Sequence, residues 1–317
     1  MIYVIYFDPE VIQDAANNGP YAIQALIAAL RGFSQNCLFI DFTDARIRIQ
    51  IGEAINTIPS DSDRILLTRI LAHLAKYNRF IGCILPDYLS EKQDSDYIIA
   101  EIKTNSIDFA LLSKNPINAR LKHLLSWSEL DTYQATTFEH QRESSGSKGK
   151  VYTGGELTCL DFMNHNFRNL CRYSASIQVV DNSMGKYYGS NYEYCLITFI
   201  EWLESVIYDA SECRVDFHCC DPSGYGKAHI NAKLTSAKNG RISALPMTIS
   251  YYNNSIQFHH DRFIVTDQFT FEIGRGMDFL DPRTLSNRDV SLSIKDTADG
   301  QKLMKELSSK SPSTDIL

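Results

Sequence analysis

Short apolar runs alternate with longer amphipathic stretches in the first part of this chain, and that alternation restricts the folds open to it. The predicted strands are 2–7, 37–42, 80–85 and 109–112, and the predicted helices are 20–33, 46–58, 61–77 and 96–105. Strands that alternate with helices favour a mostly parallel sheet with helices packed on both faces. We therefore predict a three-layer α/β domain over residues 1–138.

A second series of strands and helices begins near Val151. Its predicted strands are 176–180, 214–219 and 246–252, and its predicted helices are 162–173, 191–208 and 228–238. The helix 191–208 has the clearest pattern, because its apolar residues recur without a break at helical spacing. These elements predict a second α/β domain over residues 151–296.

Two segments are too polar to supply a core. Residues 139–150, EHQRESSGSKGK, combine glycine, serine and charge, which is typical of a linker. Residues 297–317 form a charged and polar tail, and we expect its last ten residues to be disordered.

The composition is that of an ordinary soluble globular protein, with 44% hydrophobic and 22% charged residues among 317. The net charge of −7 does not indicate a general attraction to nucleic acid, although a local basic patch would suffice for binding. The sequence has no apolar run of about 18 residues and no basic leader with a cleavage site. The eight cysteines form no CxxC pair, so we predict reduced, mostly buried thiols and a cytoplasmic protein.

Acidic residues stand at the ends of predicted elements in the first domain. Asp8 and Asp41 end strands, and Asp96 opens a helix together with Asp94. Ligands of parallel α/β sheets gather at the carboxyl ends of the strands, and carboxylates bind Mg²⁺. Asp8, Asp41 and Asp96 are therefore candidate metal ligands. The alternative is structural: Asp8 terminates a strand, and Asp94 and Asp96 stabilise a helix N-terminus.

The segment 96–115, DYIIAEIKTNSIDFALLSKN, is similar to the late part of PIN-type nucleases. In that family an acidic residue opens a helix, and the strand that follows ends in another acid. This chain has Ser113-Lys114-Asn115 at the second position. The resemblance implies a degenerate PIN-like domain, which would need Mg²⁺ if it were active.

The stretch 258–280, FHHDRFIVTDQFTFEIGRGMDFL, predicts two short strands joined by a tight turn at 266–268. Side chains alternate along a strand, so His260 and Arg262 point the same way, about 7 Å apart. Histidine can act as a nucleophile or a proton carrier near neutral pH, and arginine binds phosphate with a fixed fork of donors. This face is suited to an anion.

The spacing His260-x-Arg262-x4-Asp267 resembles the HxKx4D motif of the phospholipase D superfamily, with arginine in place of lysine. Farther along, Gly274-Arg275-x-x-Asp278 stands where that family has GSxxN. The pattern HDR…IGRGxD is similar to one branch, the C-terminal phospholipase D-like domain of midbody-associated MIT-domain proteins and bacterial HDRF proteins. The resemblance covers about residues 151–296.

The resemblance implies a role for each matched residue. In the family, the histidine attacks the phosphorus of a phosphodiester and forms a phosphohistidine without a metal. Carried over, His260 is the nucleophile, Arg262 clamps the phosphate and Asp267 is a supporting acid. The remaining residues are expected to bind phosphate: Gly274, Arg275, Gly276 and Asp278. Glycines at 274 and 276 would let the backbone approach a ligand closely.

The chain holds one copy of the motif, and single-copy members of the family pair two chains across a two-fold axis. The resemblance thus implies a homodimeric nuclease-type phosphodiesterase acting on nucleic acid. HDRF proteins of this kind look like components of bacterial defence systems, which implies further defence proteins as partners. The alternative is an inactive module that binds phospholipid headgroups or nucleic acid and mediates dimerisation or sensing, because the midbody branch binds lipid without catalysis. A third reading makes the first domain the effector. Without the longer pattern, Arg262 would be a surface partner of Asp261.

Overall fold

The computed structural model describes residues 1–83, 107–115, 118–146, 149–186, 189–222, 226–239, 245–253, 262–274 and 289–317. These residues divide into two compact units, Met1–Gly146 and Ser147–Leu317. Each unit has its own sheet, so the chain is an α/β protein of two units, as predicted.

The first unit is built on a five-stranded parallel sheet with the order β3-β2-β1-β4-β5. Its strands are β1 Tyr3–Phe7, β2 Cys37–Phe42, β3 Phe80–Cys83, β4 Phe109–Leu111 and β5 Trp127–Ser128. Its helices are α1 Glu10–Asn17, α2 Pro20–Asn36, α3 Arg46–Asn56, α4 Asp61–Lys76, α5 Ala119–Lys122 and α6 Thr137–Gly146, with a 3-10 turn at Tyr133–Ala135.

The central strands of this sheet follow directly from their sequences. Every residue of β1 and β2 is buried, which explains why both read as continuous apolar runs. Helix α2 begins at Pro20, whose fixed φ suits a first turn. Helix α4 begins after Ser60, whose side chain accepts the N–H of Asp63 at 3.4 Å. The predicted alternation of strands and helices is confirmed for the described residues of this unit, and the predicted helix 96–105 lies outside them.

The predicted linker is different in the structure. Residues 137–146 form helix α6, which belongs to the first unit, and the unit ends at Gly146 rather than at 138. The Arg142 side chain is buried, forms two hydrogen bonds of 2.6 and 2.7 Å with Glu139, and donates to the Gly32 carbonyl at 2.7 Å. A paired charge can thus anchor a helix that has almost no apolar surface, and composition alone does not reveal this.

The second unit is built on an eight-stranded mixed sheet with the order β13-β9-β8-β7-β10-β11-β12-β6. Its strands are β6 Lys150–Tyr152, β7 Ser176–Val180, β8 Arg214–Cys220, β9 Met247–Tyr252, β10 Arg262–Thr266, β11 Thr270–Ile273, β12 Val290–Lys295 and β13 Ser313–Ile316. Its helices are α7 Cys159–Asn166, α8 Arg168–Arg172, α9 Asn182–Lys186, α10 Ser190–Val206, α11 Lys227–Asn239 and α12 Thr297–Ser308. Strands β7, β8 and β9 are parallel, and the other neighbours are antiparallel.

The predicted hairpin is confirmed. Strands β10 and β11 pair antiparallel, with Arg262 opposite Ile273 at one end and Val265 opposite Thr270 at the other. The turn is closed by the N–H of Thr266, which donates to the Phe269 carbonyl at 2.8 Å. On its other side β10 lies antiparallel to β7, which places the start of the hairpin beside the end of a central strand.

The predicted polar tail is ordered and belongs to the second unit. Asp296 caps helix α12 by accepting the N–H of Ala298 at 2.9 Å. The helix buries Leu303 and Leu307 against the sheet, and a Cβ on Gly300 would overlap Thr270 Oγ1. Strand β13 then pairs with β9 at the edge of the sheet. The apolar residues of α12 are few but share one face. The average polarity of the segment does not reveal such a face.

The seven cysteines that the structure describes are buried, as predicted. Within the described ranges, no helix has both the length and the apolar character needed to cross a membrane.

Candidate functional site

Three parallel strands of the second sheet, β7, β8 and β9, end at the same edge. Strand β10 runs the other way, so its first residue, Arg262, lies at that edge. Phe263 pairs with Val180, which brings Arg262 beside Asp181, the residue that follows β7. Ligands of open α/β sheets gather at the carboxyl ends of parallel strands. The fold therefore puts the predicted phosphate clamp in a position suited to binding.

Arg262 is held there by two side chains. Its Nε lies 3.4 Å from Asp181 Oδ1, and its Nη2 donates to Ser183 Oγ at 3.0 Å. The Asp181 side chain is 1% exposed, whereas that of Arg262 is 26% exposed. A buried carboxylate thus neutralises a guanidinium that still reaches solvent. Neither Asp181 nor Ser183 was among the predicted site residues, although Asp181 ends a predicted strand.

The turn that carries Ser183 is fixed against the neighbouring strand. Asp181 Oδ1 accepts the N–H of Ser183 at 2.9 Å, which begins the short helix α9. A Cβ on Gly185 would overlap the carbonyl oxygen of Cys220 at the end of β8. Glycine at this position therefore allows α9 to pack directly on the edge of the sheet.

Several predicted residues cannot be placed beside Arg262. They lie outside the described residues: His260, Arg275, Gly276 and Asp278. The same holds for Asp261, the partner of Arg262 in the surface-pair alternative. The carboxylate that the structure does place beside Arg262 is Asp181.

Gly274 lies at the same edge as Arg262, because it follows the Ile273 that pairs with Arg262. Its N–H donates to the Ser291 carbonyl at 2.8 Å, and a Cβ at this position would overlap Ser291 Oγ. The close approach that this glycine permits is to strand β12. That Gly274 also lets the backbone approach a ligand stays a prediction.

Asp267 lies at the far end of β10 from Arg262. The five residue steps from Arg262 to Asp267 span roughly 17 Å at the rise of a β-strand. Asp267 Oδ1 accepts the backbone N–H of Ala175 at 3.0 Å and of Ser176 at 3.3 Å. These contacts hold the start of β7 against the hairpin turn. A supporting role beside Arg262 does not fit this placement, because the two side chains are at opposite ends of the strand.

In the first unit, Asp8 lies where β1 ends, at the point where the strand order reverses between β1 and β4. Its side chain is buried and accepts the N–H of Glu10 at 3.0 Å, the N–H of Ser113 at 2.9 Å and the amide of Asn118 at 2.8 Å. The carboxylate joins the ends of two strands, in keeping with the structural alternative. It is already satisfied by three donors.

Asp41 has a similar setting at the end of β2. It is 2% exposed, and its Oδ1 accepts the N–H of Phe42 at 2.8 Å and of Ile47 at 3.0 Å. The third predicted ligand, Asp96, lies outside the described residues. Within the described ranges, no group of three or more His, Cys, Asp or Glu side chains is arranged to hold a metal ion. The magnesium site remains a prediction.

No family model matches the sequence, and no curated protein matches it. Among solved structures, the chain has a distant likeness to TrmBL2, described as an archaeal chromatin protein that shows a novel mode of DNA binding. The two are 8% identical, with 81% of this chain and 84% of that chain covered and a TM-score of 0.29. A likeness at that level does not bear on fold or function.

Proposed function

We propose that the second unit recognises a phosphodiester of nucleic acid at the carboxyl edge of β7, β8 and β9 and hydrolyses it, with His260 as nucleophile and Arg262 as phosphate clamp. The observation that supports this is the setting of Arg262, whose half-buried guanidinium is held at the edge by Asp181 and Ser183. His260 precedes it by two residues within the sequence motif.

Arg262 has hydrogen-bonding capacity left for a ligand. A guanidinium has five N–H donors. Among the described residues, its buried Nε has no hydrogen-bond partner, and the 3.4 Å separation from Asp181 is longer than the roughly 2.7–2.9 Å of a charge-assisted bond. Asp181 therefore orients the guanidinium and balances its charge without using up its donors. Since Nε itself is buried, a phosphate at the edge would accept from the exposed part of the guanidinium.

The proposed reaction has two steps and needs no metal. An imidazole nitrogen of His260 attacks phosphorus, a P–N bond forms, and the P–O bond to the leaving oxygen breaks. Water then attacks the phosphohistidine, the P–N bond breaks, and the phosphate monoester is released. Arg262 stabilises the negative charge that builds up on the phosphoryl oxygens. A proton must be given to the leaving oxygen, and a second copy of the chain supplies the histidine for it.

The test is cleavage of single-stranded and double-stranded nucleic acid, in Mg²⁺ and in EDTA. We expect EDTA-resistant cutting that falls by roughly 10²–10⁴-fold in His260→Ala. His259→Ala is the matched control, because it removes the adjacent imidazole, and it should cut like the wild type. Arg262→Lys keeps the charge but loses the fork, so it should cut more slowly than the wild type.

Three results would count against this reaction. Cutting that requires Mg²⁺ and survives His260→Ala would move the activity to the first unit. Equal loss in His259→Ala and His260→Ala would mean that the histidines act on folding. Binding of nucleic acid, or of vesicles containing phosphatidic acid, without cleavage would leave an inactive binding module as the function of this edge.

A further inference from the structure

A cavity lies on the sheet of the second unit, beside β7, β8 and β9 and on the face opposite to Arg262. It has a volume of about 740 Å³ and is bordered by those strands, β10, α12 and β13. Small-molecule sites fall within roughly 300–1,000 Å³. We call this cavity the polar groove.

The floor of the polar groove consists of two rows of polar side chains that cross adjacent strands. Strand pairing aligns Gln178, Asp216 and Thr248 in one row. It aligns His218, Ser250 and Thr314 in the next. Paired residues share a face, so all six side chains point the same way. A sheet face buried for stability alone would carry apolar residues at these positions.

The apolar part of this face adjoins the polar groove, and Tyr252 and Val265 border both. Val180, Tyr252 and Val265 pack against Leu303 and Leu307 of α12. The helix covers the sheet there and leaves the polar rows open beside it. This arrangement suits a binding site. The covered apolar part stabilises the fold, and the open polar part stays accessible to a ligand.

The floor is held rigid by its own hydrogen bonds. Gln178 Nε2 donates to Asp216 Oδ2 at 2.7 Å, and Gln178 Oε1 lies 2.7 Å from His218 Nε2. His218 Nδ1 lies 3.0 Å from the Tyr252 hydroxyl, and Thr248 Oγ1 donates to Asp216. Positioned polar groups of this kind fix the orientation of a ligand at low entropic cost.

The floor carries little net charge near neutral pH. Arg214 Nε donates to Asp216 Oδ1 at 2.8 Å, so the buried carboxylate is balanced. Burial lowers the pKa of His218 to about 4, with a smaller upward effect from Asp216 and a downward one from Arg214. The imidazole is therefore neutral. At the rim, the cation Lys305 and the anion Asp267 offset each other.

We propose that the polar groove binds a neutral, hydroxyl-rich small molecule, a polyol or a monosaccharide. A hydroxyl both donates and accepts, so several hydroxyls on one ligand match the mixed amides, hydroxyls and imidazole of the floor. An anion would lack a net positive charge to bind. Met304, Val265 and Pro312 offer apolar surface to the C–H groups of such a ligand.

The polar groove is independent of the edge at Arg262. Val265 pairs with Gln178 on the groove face, whereas Ile264 pairs with Val179 on the opposite face. Arg262 is two residues from Ile264, and it therefore lies on the opposite face of the sheet from the groove. Failure of the phosphodiester proposal would leave this one standing, and the reverse also holds.

The test is ligand-observed NMR and calorimetry on the full chain with three neutral probes, myo-inositol, glucose and ribose, and two charged probes, inorganic phosphate and glutamate. We expect at least one neutral probe to bind. Gln178→Leu should raise its Kd at least about tenfold, since a half-buried donor and acceptor of the floor are lost. Lys305→Ala at the rim should raise the Kd by less.

Lys302→Ala is the matched control, because Lys302 lies on the same helix but outside the polar groove. It should bind like the wild type. If Gln178→Leu fails to fold, Thr314→Val, in the part of the floor on the edge strand β13, takes its place. Binding of the charged probes alone, binding that Lys302→Ala weakens as much as Lys305→Ala, or no binding of any neutral probe would each overturn the proposal.

Discussion

At the scale of single residues, buried polar side chains are what set this protein apart from a plain α/β scaffold. Asp8, Asp181 and Asp216 are all buried, and each accepts hydrogen bonds from a fixed set of donors. Burying a polar group is costly unless it is paired. Each of these residues therefore ties two chain segments together, and two of them also shape a proposed binding site.

Of these buried groups, His218 makes stability depend on pH. Burial lowers its pKa from 6.5 to about 4 in the folded protein, so on acidification the unfolded chain takes up a proton that the folded chain does not. Its contribution to stability is present above pH 6.5 and is lost as the pH falls from there towards 4. The loss amounts to at most about 3 kcal/mol.

Urea unfolding at pH 7 and at pH 4.5 measures this loss. His218→Gln retains hydrogen-bonding groups but does not titrate, so it should lose less stability on acidification than the wild type. His123→Gln replaces an exposed histidine of the first unit and should behave like the wild type. If His218→Gln and the wild type lose the same free energy of unfolding, the pH dependence comes from other groups.

At the scale of elements, the sequence predicted those strands and helices whose buried faces show in the pattern of apolar residues. Strands β1, β2, β7 and β8 and the hairpin β10–β11 were predicted within a few residues, because each buries an apolar run. Strands β6 and β13 are short, lie at the two edges of the sheet and expose much of their surface. Their strand conformation comes from pairing with a distant neighbour, which local sequence does not contain.

The same limit applies to the site. Arg262 was predicted from its motif, but Ser183 lies 79 residues away from it in the sequence. The contact exists because β10 inserts beside β7, and no local pattern specifies that pairing. Asp267 shows the limit of motif spacing in another way. The motif predicted a supporting acid, whereas strand β10 places Asp267 at its far end from Arg262.

Helix α6 supplies a prediction at this scale. Arg142→Ala should destabilise the first unit by about 3–5 kcal/mol, because Glu139 would be left as an unpaired buried charge. The double replacement Glu139→Leu with Arg142→Met should cost less than Arg142→Ala alone, since it removes both charges. Urea denaturation of the three proteins measures the difference. A double variant less stable than Arg142→Ala would show that the bonds from Arg142 to Gly32 and Asn36 matter more than the charge pair.

At the scale of the whole molecule, the two units share no strand, and each closes its own core. A unit with its own sheet and core can fold alone. The fragment 1–146 should therefore give a far-ultraviolet circular dichroism spectrum of a folded α/β protein and unfold cooperatively with heat.

The fragment 1–138, which ends where composition placed the domain boundary, is the comparison. It lacks the part of α6 that holds Glu139 and Arg142, and we expect it to melt at a lower temperature than 1–146. An unfolded 1–146 fragment would mean that the first unit depends on the second. Equal melting temperatures would mean that α6 is an appendage rather than part of the unit.

The pairing of β6 with β12 bears on how the second unit is made. Strand β6 opens the unit in sequence, yet its sheet neighbour among the described strands, β12, is translated much later. A nascent chain therefore leaves the ribosome with an unpaired strand edge for most of the synthesis of this unit, and such edges invite association between chains. The unit also gains β13, its other edge, only after α12 has emerged. Pairings of this range close slowly. Productive folding of the second unit thus waits until β12 has been synthesised, and slow synthesis or crowding should first cause aggregation through β6.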